Sequence, residues 1–542
     1  MVNKKSRQKN RQKAKTTAPL LNIPYSIIAG SILGAIALFV FISRFLNFLP
    51  SSQSTILIIL NAILGAVLAF ISVTLINALL KRKGNIFIRY ILASIIPMAG
   101  FAVERIVTFP NDFDVMLIIV DATRADYLSV YGADNNTTPN LESFAVDAVV
   151  FENAIAQGCH TIQAVPAILA SLHPTIHGLS DYRKVLSNDV VLISEVLKRE
   201  GYLTMGIVTN PHLTVANGFK QGYDYYNAVS SWSKPSADAV NLEYLKWLRK
   251  TGEVRKFSLL FYIDPHNPYE PPQRYLDMYY KGEPYTIEYS HDGYQALDKK
   301  GKDNFKARYL AELRYFDDRL GRLFAEMKKS GLYDKTLIVV TSDHGEGFFD
   351  HNLVFHGNSL YNELIHVPLI IKFPQLIRIP GLDTGNIRIP QNVRQIDILP
   401  TICDFLGVKK PELAQGTSLL PLVFQKTDTI PELAYILSEH IASLPMQGRE
   451  GLPQMRSITS DRYKLIVTQS PMDKQPEFEL YDLMMDPGEK SNIAEKEKNI
   501  VEHLSRELIK RVDSISPLAQ QTKAANINKE MLDKLRALGY IK

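Results

Sequence analysis

Hydrophobic residues are spread unevenly along this chain of 542 residues, and the first hundred positions form a region of their own. Residues 16–43 contain no charged side chain, and neither do residues 45–80. A helix needs roughly 20 consecutive apolar residues to cross a bilayer. Both runs exceed that length, so the sequence predicts two membrane-spanning helices.

A third hydrophobic run, residues 90–103, is uncharged but short, and Pro97 interrupts it. A run of this length is more often buried or interfacial than spanning. It reaches a spanning length when residues 86–88 are added and Arg89 extends its charged head to the membrane surface. We predict about three transmembrane helices within residues 19–110.

Positive charge is concentrated next to these runs. The first fifteen residues carry no acid and hold seven basic side chains, namely Lys4, Lys5, Arg7, Lys9, Arg11, Lys13 and Lys15. A second basic cluster lies at residues 81–83. Three spans bring both clusters to the cytoplasmic face, as membrane proteins prefer, and place the chain after about Asn111 outside. Two spans would leave that part inside. We expect three, and therefore a multi-pass cell-membrane protein whose larger part is extracytoplasmic and whose partner is the lipid bilayer.

Composition adds two exclusions. The formal net charge of +5 is smaller than the charge of the basic tail alone, so the rest of the chain is close to neutral. We expect no nucleic-acid partner, because such proteins carry a basic surface. The only cysteines, Cys159 and Cys403, give no disulfide framework and no cysteine metal motif. They could pair, but two separate thiols are the simpler expectation.

Beyond residue 111, short hydrophobic runs alternate with amphipathic stretches. The predicted strands are residues 114–120, 149–151, 204–208, 258–263 and 336–340, and the predicted helices include residues 191–200 and 307–330. This order indicates an α/β fold with a mixed or mostly parallel sheet covered by helices. After about residue 425 the pattern changes: residues 455–467 and 479–483 predict a small antiparallel sheet, and residues 494–514 predict a polar helix.

Polar residues at strand ends carry the candidate chemistry. Asp121, Asp264 and Asp343 each follow a predicted strand, where sheets of this class place their sites. Asp121, Asp343, the adjoining His344 and the distant Thr161 supply three oxygens and one nitrogen. That set suits a divalent metal ion that holds a hydroxyl nucleophile. A histidine ligand favours zinc or manganese, and calcium or magnesium are the alternatives.

Thr161 is the predicted nucleophile. A threonine hydroxyl reacts poorly at neutral pH and needs a base or a metal to stabilise its alkoxide. Metal binding lowers the pKa of water from about 15.7 to about 7, and a bound alcohol responds in the same direction.

Several stretches, in the right order, resemble the sulfatase family of the alkaline-phosphatase superfamily. They are residues 120–132, 138–141, 264–269, 341–346, 463–465, 480–483 and 486–487. The resemblance implies a central sheet like that of alkaline phosphatase, flanked by helices, and a smaller C-terminal antiparallel subdomain. We therefore divide the chain into a basic cytoplasmic tail at 1–18, a transmembrane region at 19–110, a sulfatase-like catalytic domain at 111–425, and a C-terminal subdomain and tail at 426–542.

The nucleophile position departs from that family. Sulfatases convert a cysteine or serine to formylglycine within a Cys/Ser-x-Pro-x-Arg motif. Counting back from Pro174 and residues 177–178 puts Thr161 at the nucleophile position and Val165 at the arginine position. Cys159 lies two residues too early. Threonine cannot become formylglycine, because oxidation of its secondary alcohol gives a ketone.

Residues 161–166 instead resemble the threonine stretch of phosphoethanolamine transferases, which are membrane-anchored relatives that carry the phospho group on threonine. Phosphoglycerol transferases and phosphodiesterases of the nucleotide pyrophosphatase type also use such a threonine. The two transferase groups usually have glutamate where this chain has Asp121, and residues 264–269 are closer to those of sulfatases.

Two histidines are predicted to face the substrate. His266 occupies the position where the family's histidine contacts the sulfate, and His356 falls where many sulfatases have a lysine beside the ester oxygen. Histidine at that position suggests oxyanion binding or protonation of the leaving group. Asp264, His266 and His356 could instead hold a second metal, but the wider spacing of two-metal relatives is missing, so we expect a single ion.

Other polar residues have open interpretations. His160, His173 and His177 flank the nucleophile, and His177 either lies near the site or serves packing. The pair Asp317 and Asp318 lies on an amphipathic helix, and we interpret it as solvated or as a helix-packing feature.

The leading hypothesis is a membrane-anchored metallohydrolase that cleaves sulfate or phosphate esters of a glycan, a lipid or a small molecule. The alternative is a transferase that moves phosphoethanolamine or phosphoglycerol to a lipid or glycan of the cell envelope. A non-enzymatic membrane protein that retains the fold is the third hypothesis, and the complete set of metal-binding and nucleophilic residues argues against it.

Overall fold

The structure, a computed structural model, describes residues 113–228, 237–283, 285–287, 293–294, 296–374, 386–441, 453–470 and 475–524. The predicted cytoplasmic tail and transmembrane region, residues 1–18 and 19–110, lie outside these ranges. Within them, no helix combines the length and the apolar character that crossing a membrane requires.

The described strands and helices follow the predicted alternation. The strands are β1 Asp114–Val120, β2 Val149–Ile155, β3 Lys184–Val185, β4 Leu203–Val208, β5 Tyr225–Ala228, β6 Lys256–Tyr262, β7 Thr336–Ser342, β8 Gly347–Phe348, β9 Val354–Phe355, β10 His366–Lys372, β11 Ile387–Arg394, β12 Ile436–His440, β13 Gln454–Thr459, β14 Tyr463–Gln469, β15 Glu477–Asp482 and β16 Lys523–Ala524. The α-helices are α1 Pro139–Ala145, α2 Thr161–Ala170, α3 Pro174–His177, α4 Ile193–Arg199, α5 Ala237–Leu248, α6 Gln273–Tyr279, α7 Lys299–Lys329, α8 Asn362–Ile365, α9 Ile398–Leu406, α10 Leu420–Val423 and α11 Lys498–Ile515.

A mixed eight-stranded sheet forms the centre, in the order β11-β2-β10-β7-β1-β6-β4-β5. β1 pairs in parallel with both β6 and β7, whereas β10 runs antiparallel to β7 and β2. Parallel strands are joined by crossover helices, which cover both faces of such a sheet. The predicted α/β fold with a mixed central sheet is confirmed.

The register of the three central strands brings their carboxyl ends level. Val120, the last residue of β1, pairs with Tyr262 at the end of β6 and with Ser342 at the end of β7. Asp121 and Asp343 are the residues that follow. They therefore emerge side by side at one edge of the sheet, although more than two hundred residues separate them along the chain.

Side chains of β1 alternate between two hydrophobic cores, one on each face of the sheet. Val115, Leu117 and Ile119 pack in the core that includes α2 and α9. Met116, Ile118 and Val120 pack in the core that includes α7. Period-two alternation along a doubly covered strand produces this division.

Helix α7 covers the second face through the apolar stripe that its sequence predicts. The side chains of Leu310, Leu313, Phe316, Leu320 and Phe324 are all buried. They recur at three- and four-residue spacing, which places them on one side of a helix. Lys328 and Lys329 lie in its last turn, where positive charge complements the helix dipole.

The C-terminal part forms an antiparallel sheet in the order β12-β13-β14-β15, as predicted. The stretch predicted at residues 455–467 proves to be two strands, β13 and β14, because the chain turns between them. Helix α11 is amphipathic and buries Leu504, Leu508 and Ile515.

Strand β12 is also attached to the segment that leads to Thr161. Ser438 Oγ donates to Ala156 O at 2.6 Å, and Glu439 N donates to Gln157 O at 3.0 Å. The first strand of the C-terminal sheet is thereby fixed beside the amino end of α2.

Candidate metal centre and active site

The structure brings Asp121, Asp343 and His344 together at the carboxyl ends of β1 and β7. One ligand atom from each lies within 4.8 Å of the others. His344 Nε2 lies 3.6 Å from Asp121 Oδ1 and 3.5 Å from Asp343 Oδ2. All three side chains are fully buried. Among the described residues, no other group of three histidine, cysteine or acidic side chains meets this distance.

Backbone groups hold these side chains in place. His344 Nδ1 donates to Gly345 O at 2.8 Å, which leaves Nε2 with the lone pair that a metal ion needs. Asp343 Oδ1 accepts from Ala122 N at 3.2 Å and from His344 N at 2.9 Å. Gly345 is required by close packing, because a Cβ there would lie 1.9 Å from Glu363 O.

The donor set fits a divalent cation. Asp343 Oδ2 is buried and accepts no hydrogen bond from the described residues. Burying such an oxygen without a partner is costly, and placing a second carboxylate beside it adds repulsion. A bound cation removes both costs. Two carboxylates and one imidazole suit zinc or manganese better than calcium.

Thr161 lies against this group at the first position of α2. Its side chain is buried, and its Oγ1 lies 3.3 Å from His344 Nε2. The residues predicted as ligands and nucleophile therefore form one cluster. Thr161 is also the first residue of α2, and the N-terminus of a helix favours negative charge nearby.

Asn210 is a member of the cluster that the sequence analysis missed. Its Nδ2 donates to Asp121 Oδ2 at 2.6 Å and lies 3.3 Å from Thr161 Oγ1. It thus connects a candidate metal ligand, Asp121, to Thr161. Asn210 follows β4 after one intervening residue, so the strand-end rule that identified the aspartates would have identified it too.

His266 and His356 continue the site beyond the metal group. The His356 ring centroid lies 4.2 Å from that of His344 and 5.0 Å from that of His266. His356 Nδ1 donates to Glu346 Oε1 at 2.9 Å, and Tyr269 OH donates to Glu346 Oε2 at 2.7 Å. Glu346 lies in the sulfatase-like stretch 341–346, but the sequence alone did not indicate its contact with His356.

A further group of side chains lies on the amino-terminal side of Thr161. His440, from β12, places its ring centroid 5.7 Å from that of His160 and its Nδ1 3.4 Å from Cys159 Sγ. Burial, reinforced by the charges of His440 and His344, lowers the pKa of His160 well below its usual value. These imidazoles are therefore neutral at pH 7.

Several residues considered from the sequence lie elsewhere or serve packing. His177 Nε2 donates to Gln163 O at 3.0 Å and its Nδ1 accepts from Leu179 N at 3.2 Å, so both ring nitrogens are used for structure. His173 is buried among Arg394 and His177. Val165, at the position of the sulfatase arginine, is buried in the apolar core.

The aspartate pair on α7 is a packing feature, and the solvated interpretation is wrong for Asp317. Its Oδ2 accepts from Asn140 N and Nδ2, at 2.9 and 2.8 Å, and its Oδ1 accepts from Leu141 N at 2.8 Å. Asp317 thus caps the first turn of α1. Asp318 Oδ2 accepts from Tyr275 OH at 2.9 Å.

Asp264 also has a structural contact. Its Oδ1 accepts from Ala237 N at 2.9 Å, at the start of α5. His266 Nδ1 donates to Asn267 O at 2.5 Å. Neither residue belongs to the group whose ligand atoms converge on Asp121.

Comparison with known proteins agrees with this geometry. The family model described as "Sulfatase" matches residues 114–408, and a model described as "N-sulphoglucosamine sulphohydrolase, C-terminal" matches residues 345–516. An arylsulfatase of Clostridium perfringens is 24% identical over 482 residues, which cover 74% of this chain and 94% of that protein.

Solved structures show the same fold. One, determined with D-glucosamine-2-N,6-O-disulfate, has a TM-score of 0.64 and 19% identity and covers 75% of this chain and 98% of the other. The phosphonate monoester hydrolase of Agrobacterium radiobacter has a TM-score of 0.62 and 19% identity, with 74% of this chain and 96% of the other covered. Enzymes of this family use a divalent metal ion, for which Asp121, Asp343 and His344 provide a candidate site. The chain therefore belongs to the sulfatase family, a family of sulfuric ester hydrolases within the alkaline-phosphatase superfamily.

Proposed function

We propose that this chain hydrolyses sulfate or phosphate esters through the hydroxyl of Thr161. The observation that carries the proposal is the 3.3 Å distance between Thr161 Oγ1 and His344 Nε2. It puts the only hydroxyl of the cluster against the candidate metal ligands. Sulfatase chemistry needs an oxidised cysteine or serine, and this chain has neither at that position.

Different residues of the site bind the metal ion, orient the nucleophile and stabilise charge. Asp121, Asp343 and His344 would hold a divalent ion, which supplies positive charge that favours the alkoxide of Thr161 and polarises the ester. Asn210 donates to Asp121 and lies beside the hydroxyl, so it orients both. The N-terminus of α2 stabilises the charge that develops on the non-bridging oxygens.

The reaction then proceeds in two displacements. Thr161 Oγ1 gives up its proton to solvent and forms a bond to the sulfur or phosphorus atom while the bond to the leaving alcohol oxygen breaks, and His356 donates the proton on its Nε2 to that oxygen. A water molecule next attacks the same atom and gives a proton back to His356 Nε2, and the bond to Thr161 Oγ1 breaks, so that Thr161 regains a proton from solvent as its hydroxyl. Glu346 orients His356 through the bond to Nδ1.

The relatives support a proposal for the substrate class. We propose a sulfated or phosphorylated glycan, lipid or small-molecule ester. Support comes from a relative named as the N-acetylglucosamine-6-O-sulfatase of Bacteroides thetaiotaomicron, 22% identical over 488 residues. The structural similarity to a phosphonate monoester hydrolase is the reason that the proposed substrates include phosphorus esters.

Brief incubation with candidate esters followed by intact-mass measurement tests the proposal. We expect a mass increase of one sulfo or phospho group on the peptide that contains Thr161. The transferase alternative predicts a phosphoethanolamine or phosphoglycerol group there after incubation with labelled phospholipid. The absence of any adduct, together with full activity of a Thr161→Ala variant, would overturn the assignment of the nucleophile.

We further propose that the enzyme is anchored in the cell membrane by residues 19–110 and acts outside the cytoplasm. The support is the charge and hydrophobic pattern of that region. A cysteine introduced at the exposed Asn135 should react with an impermeant thiol reagent in intact cells. The native thiols Cys159 and Cys403 are buried and give little background. Protection of the new thiol would place this part of the chain inside.

A further inference from the structure

His440 reaches the active site from the C-terminal sheet. It is the last residue of β12, and the neighbouring residue Ile441 exchanges hydrogen bonds with the side chain of Gln163 on α2. Gln163 Nε2 donates to Ile441 O at 2.8 Å, and Ile441 N donates to Gln163 Oε1 at 3.4 Å. Together with the contacts of Ser438 and Glu439 described above, these bonds fix the imidazole of His440 beside Cys159 and His160.

The two ring nitrogens of His440 have different surroundings. Nδ1 lies 3.4 Å from Cys159 Sγ, whereas Nε2 is buried and has no hydrogen-bond partner among the described residues. The side chain as a whole is 1% exposed. Folded proteins rarely leave a buried polar nitrogen without a partner, because removing it from water is costly. A ligand that supplies the missing partner explains why the position is tolerated.

The surroundings of Nε2 define the chemistry of that ligand. His440, His160 and Cys159 do not form a group of three ligand atoms within 4.8 Å of one another in the described structure, in contrast to Asp121, Asp343 and His344. The thiol of Cys159 lies within hydrogen-bond reach of Nδ1 and can donate its proton to that nitrogen. That arrangement leaves the ring proton on Nε2, which then acts as a donor.

The His440 imidazole also lacks charge, because burial lowers its pKa to about 4. Since Nδ1 faces Cys159, the ring offers its Nε2 N–H as one neutral donor, which matches the oxygen of a hydroxyl group. A second anionic group would find no compensating positive charge on this ring.

We propose that His440 and His160 bind an uncharged hydroxyl of the substrate's alcohol portion, next to the ester that Thr161 attacks. The alcohol is therefore a polyol such as a sugar rather than a simple aryl alcohol. The position of this subsite depends only on the described contacts, while its role as a leaving-group subsite rests on the proposed ester hydrolysis.

Two substrates distinguish binding at the subsite from the reaction itself, each used as its sulfate or phosphate ester. The first is the ester of p-nitrophenol, whose leaving group has no hydroxyl beside the reacting oxygen. The second is the ester at the 6-position of methyl glucoside. His440→Phe keeps the ring volume and removes the N–H donor. We expect it to raise KM for the glucoside ester about 3- to 10-fold, the value of one neutral hydrogen bond, and to leave kcat and KM for the p-nitrophenyl ester within about twofold.

His440→Gln provides a rescue, because its amide nitrogen lies close to where Nε2 of histidine lies. We expect it to restore part of the affinity for the glucoside ester. His503→Phe is the matched control. His503 is an exposed imidazole of the same subdomain that contacts Tyr435 OH, and its replacement should leave kcat and KM unchanged for both esters. An unchanged KM for the glucoside ester in His440→Phe, or an equal loss for both esters, would overturn the subsite.

Binding without turnover distinguishes failure of the subsite from failure of the proposed reaction. In a Thr161→Ala background, calorimetry measures the affinity for the methyl glucoside ester with and without His440→Phe. Weaker binding by about 3- to 10-fold supports the subsite even if the wild-type protein hydrolyses neither ester, in which case only the proposed reaction falls. Equal binding, or no binding by either protein, would overturn the subsite even if the p-nitrophenyl ester is hydrolysed.

Discussion

Glu346 Oε1 accepts a hydrogen bond of 2.9 Å from His356 Nδ1, and both side chains are almost completely buried. The second oxygen of Glu346 is held by Tyr269 OH. The carboxylate therefore fixes both the tautomer and the orientation of the His356 ring. Carboxylate–imidazole pairs of this kind are typical of histidines that work at a reacting centre.

Replacement of Glu346 by glutamine tests this relationship. We expect kcat to fall about 10- to 100-fold, because the ring loses its charged acceptor, while metal content stays at the wild-type value. Glu363→Gln is the matched control, since Glu363 holds His351 Nδ1 at 2.5 Å outside the metal group. Its kcat should stay within about twofold. Equal losses in the two variants would point to a general structural effect.

Substitution of Thr161 tests the nucleophile. Thr161→Ala should lower kcat by at least about 10³-fold, because the residues of such a unit act together. Thr161→Ser keeps the hydroxyl but loses the stiffness of the β-branched side chain, so we expect roughly a tenfold loss. Metal analysis of both variants checks that the ion is retained. A serine variant as inactive as the alanine variant would contradict the role of the hydroxyl.

Metal binding should depend on Asp343. We expect about one divalent ion per chain in the wild-type protein and a large loss in Asp343→Asn, because Oδ2 is a candidate ligand that accepts no hydrogen bond from the described residues. Elemental analysis after dialysis measures this. Asp317→Asn replaces another buried aspartate and should retain the ion. Adding metal to the stripped wild-type protein should raise Tm, since a ligand at 100 times its Kd stabilises by about 2.7 kcal/mol.

The native thiols should be inert. Burial raises the pKa of both Cys159 and Cys403 to about 12, and only the thiolate reacts with alkylating reagents. We expect no modification by iodoacetamide at pH 8 and complete modification after unfolding, both measured by peptide mass. Cys159 should have the mass of unmodified cysteine. Detection of formylglycine at that position would contradict the proposed threonine mechanism and support the formylglycine mechanism of sulfatases.

Asp317 should make stability depend on pH. Burial, partly offset by the hydrogen bonds from Asn140 and Leu141, raises its pKa from 3.8 to about 6. The folded protein therefore binds more protons than the unfolded chain between about pH 4 and pH 6, and this group's contribution to stability is lost as pH rises through that window. The size of this contribution is about 3 kcal/mol. Unfolding free energies measured from pH 4 to pH 7 should fall less steeply for Asp317→Asn than for wild type. Parallel curves would refute the shift.

The local pattern of hydrophobic and polar residues predicted many strands and helices and much of the candidate site, for physical reasons that can be named. The end of β1 and the end of β7 are hydrophobic runs that stop at an acid, and parallel pairing makes such ends meet. The buried stripe of α7 follows directly from its spacing. The split of residues 455–467 into two strands was missed, because the turn between β13 and β14 has no glycine or proline.

Contacts between distant segments were harder to predict. His440 enters the site only because β12 pairs with the segment before α2, and nothing in the sequence near His440 indicates that pairing. The buried state of Asp317 likewise depends on where α1 packs. Such placements arise from tertiary structure, which local periodicity does not encode.

The hydrogen bonds from β12 to Ala156 and Gln157 form a joint between the C-terminal sheet and the segment before α2, and this joint should affect how the two sheets evolve. Recombination can exchange a peripheral subdomain freely only where its contact surface includes no residue that the reaction needs. Here the joint runs beside Thr161, the proposed nucleophile. A chimera that took its C-terminal sheet from a distant relative would therefore change side chains near the active site as well as the contact between the two sheets. We expect the two sheets of this protein to have evolved together.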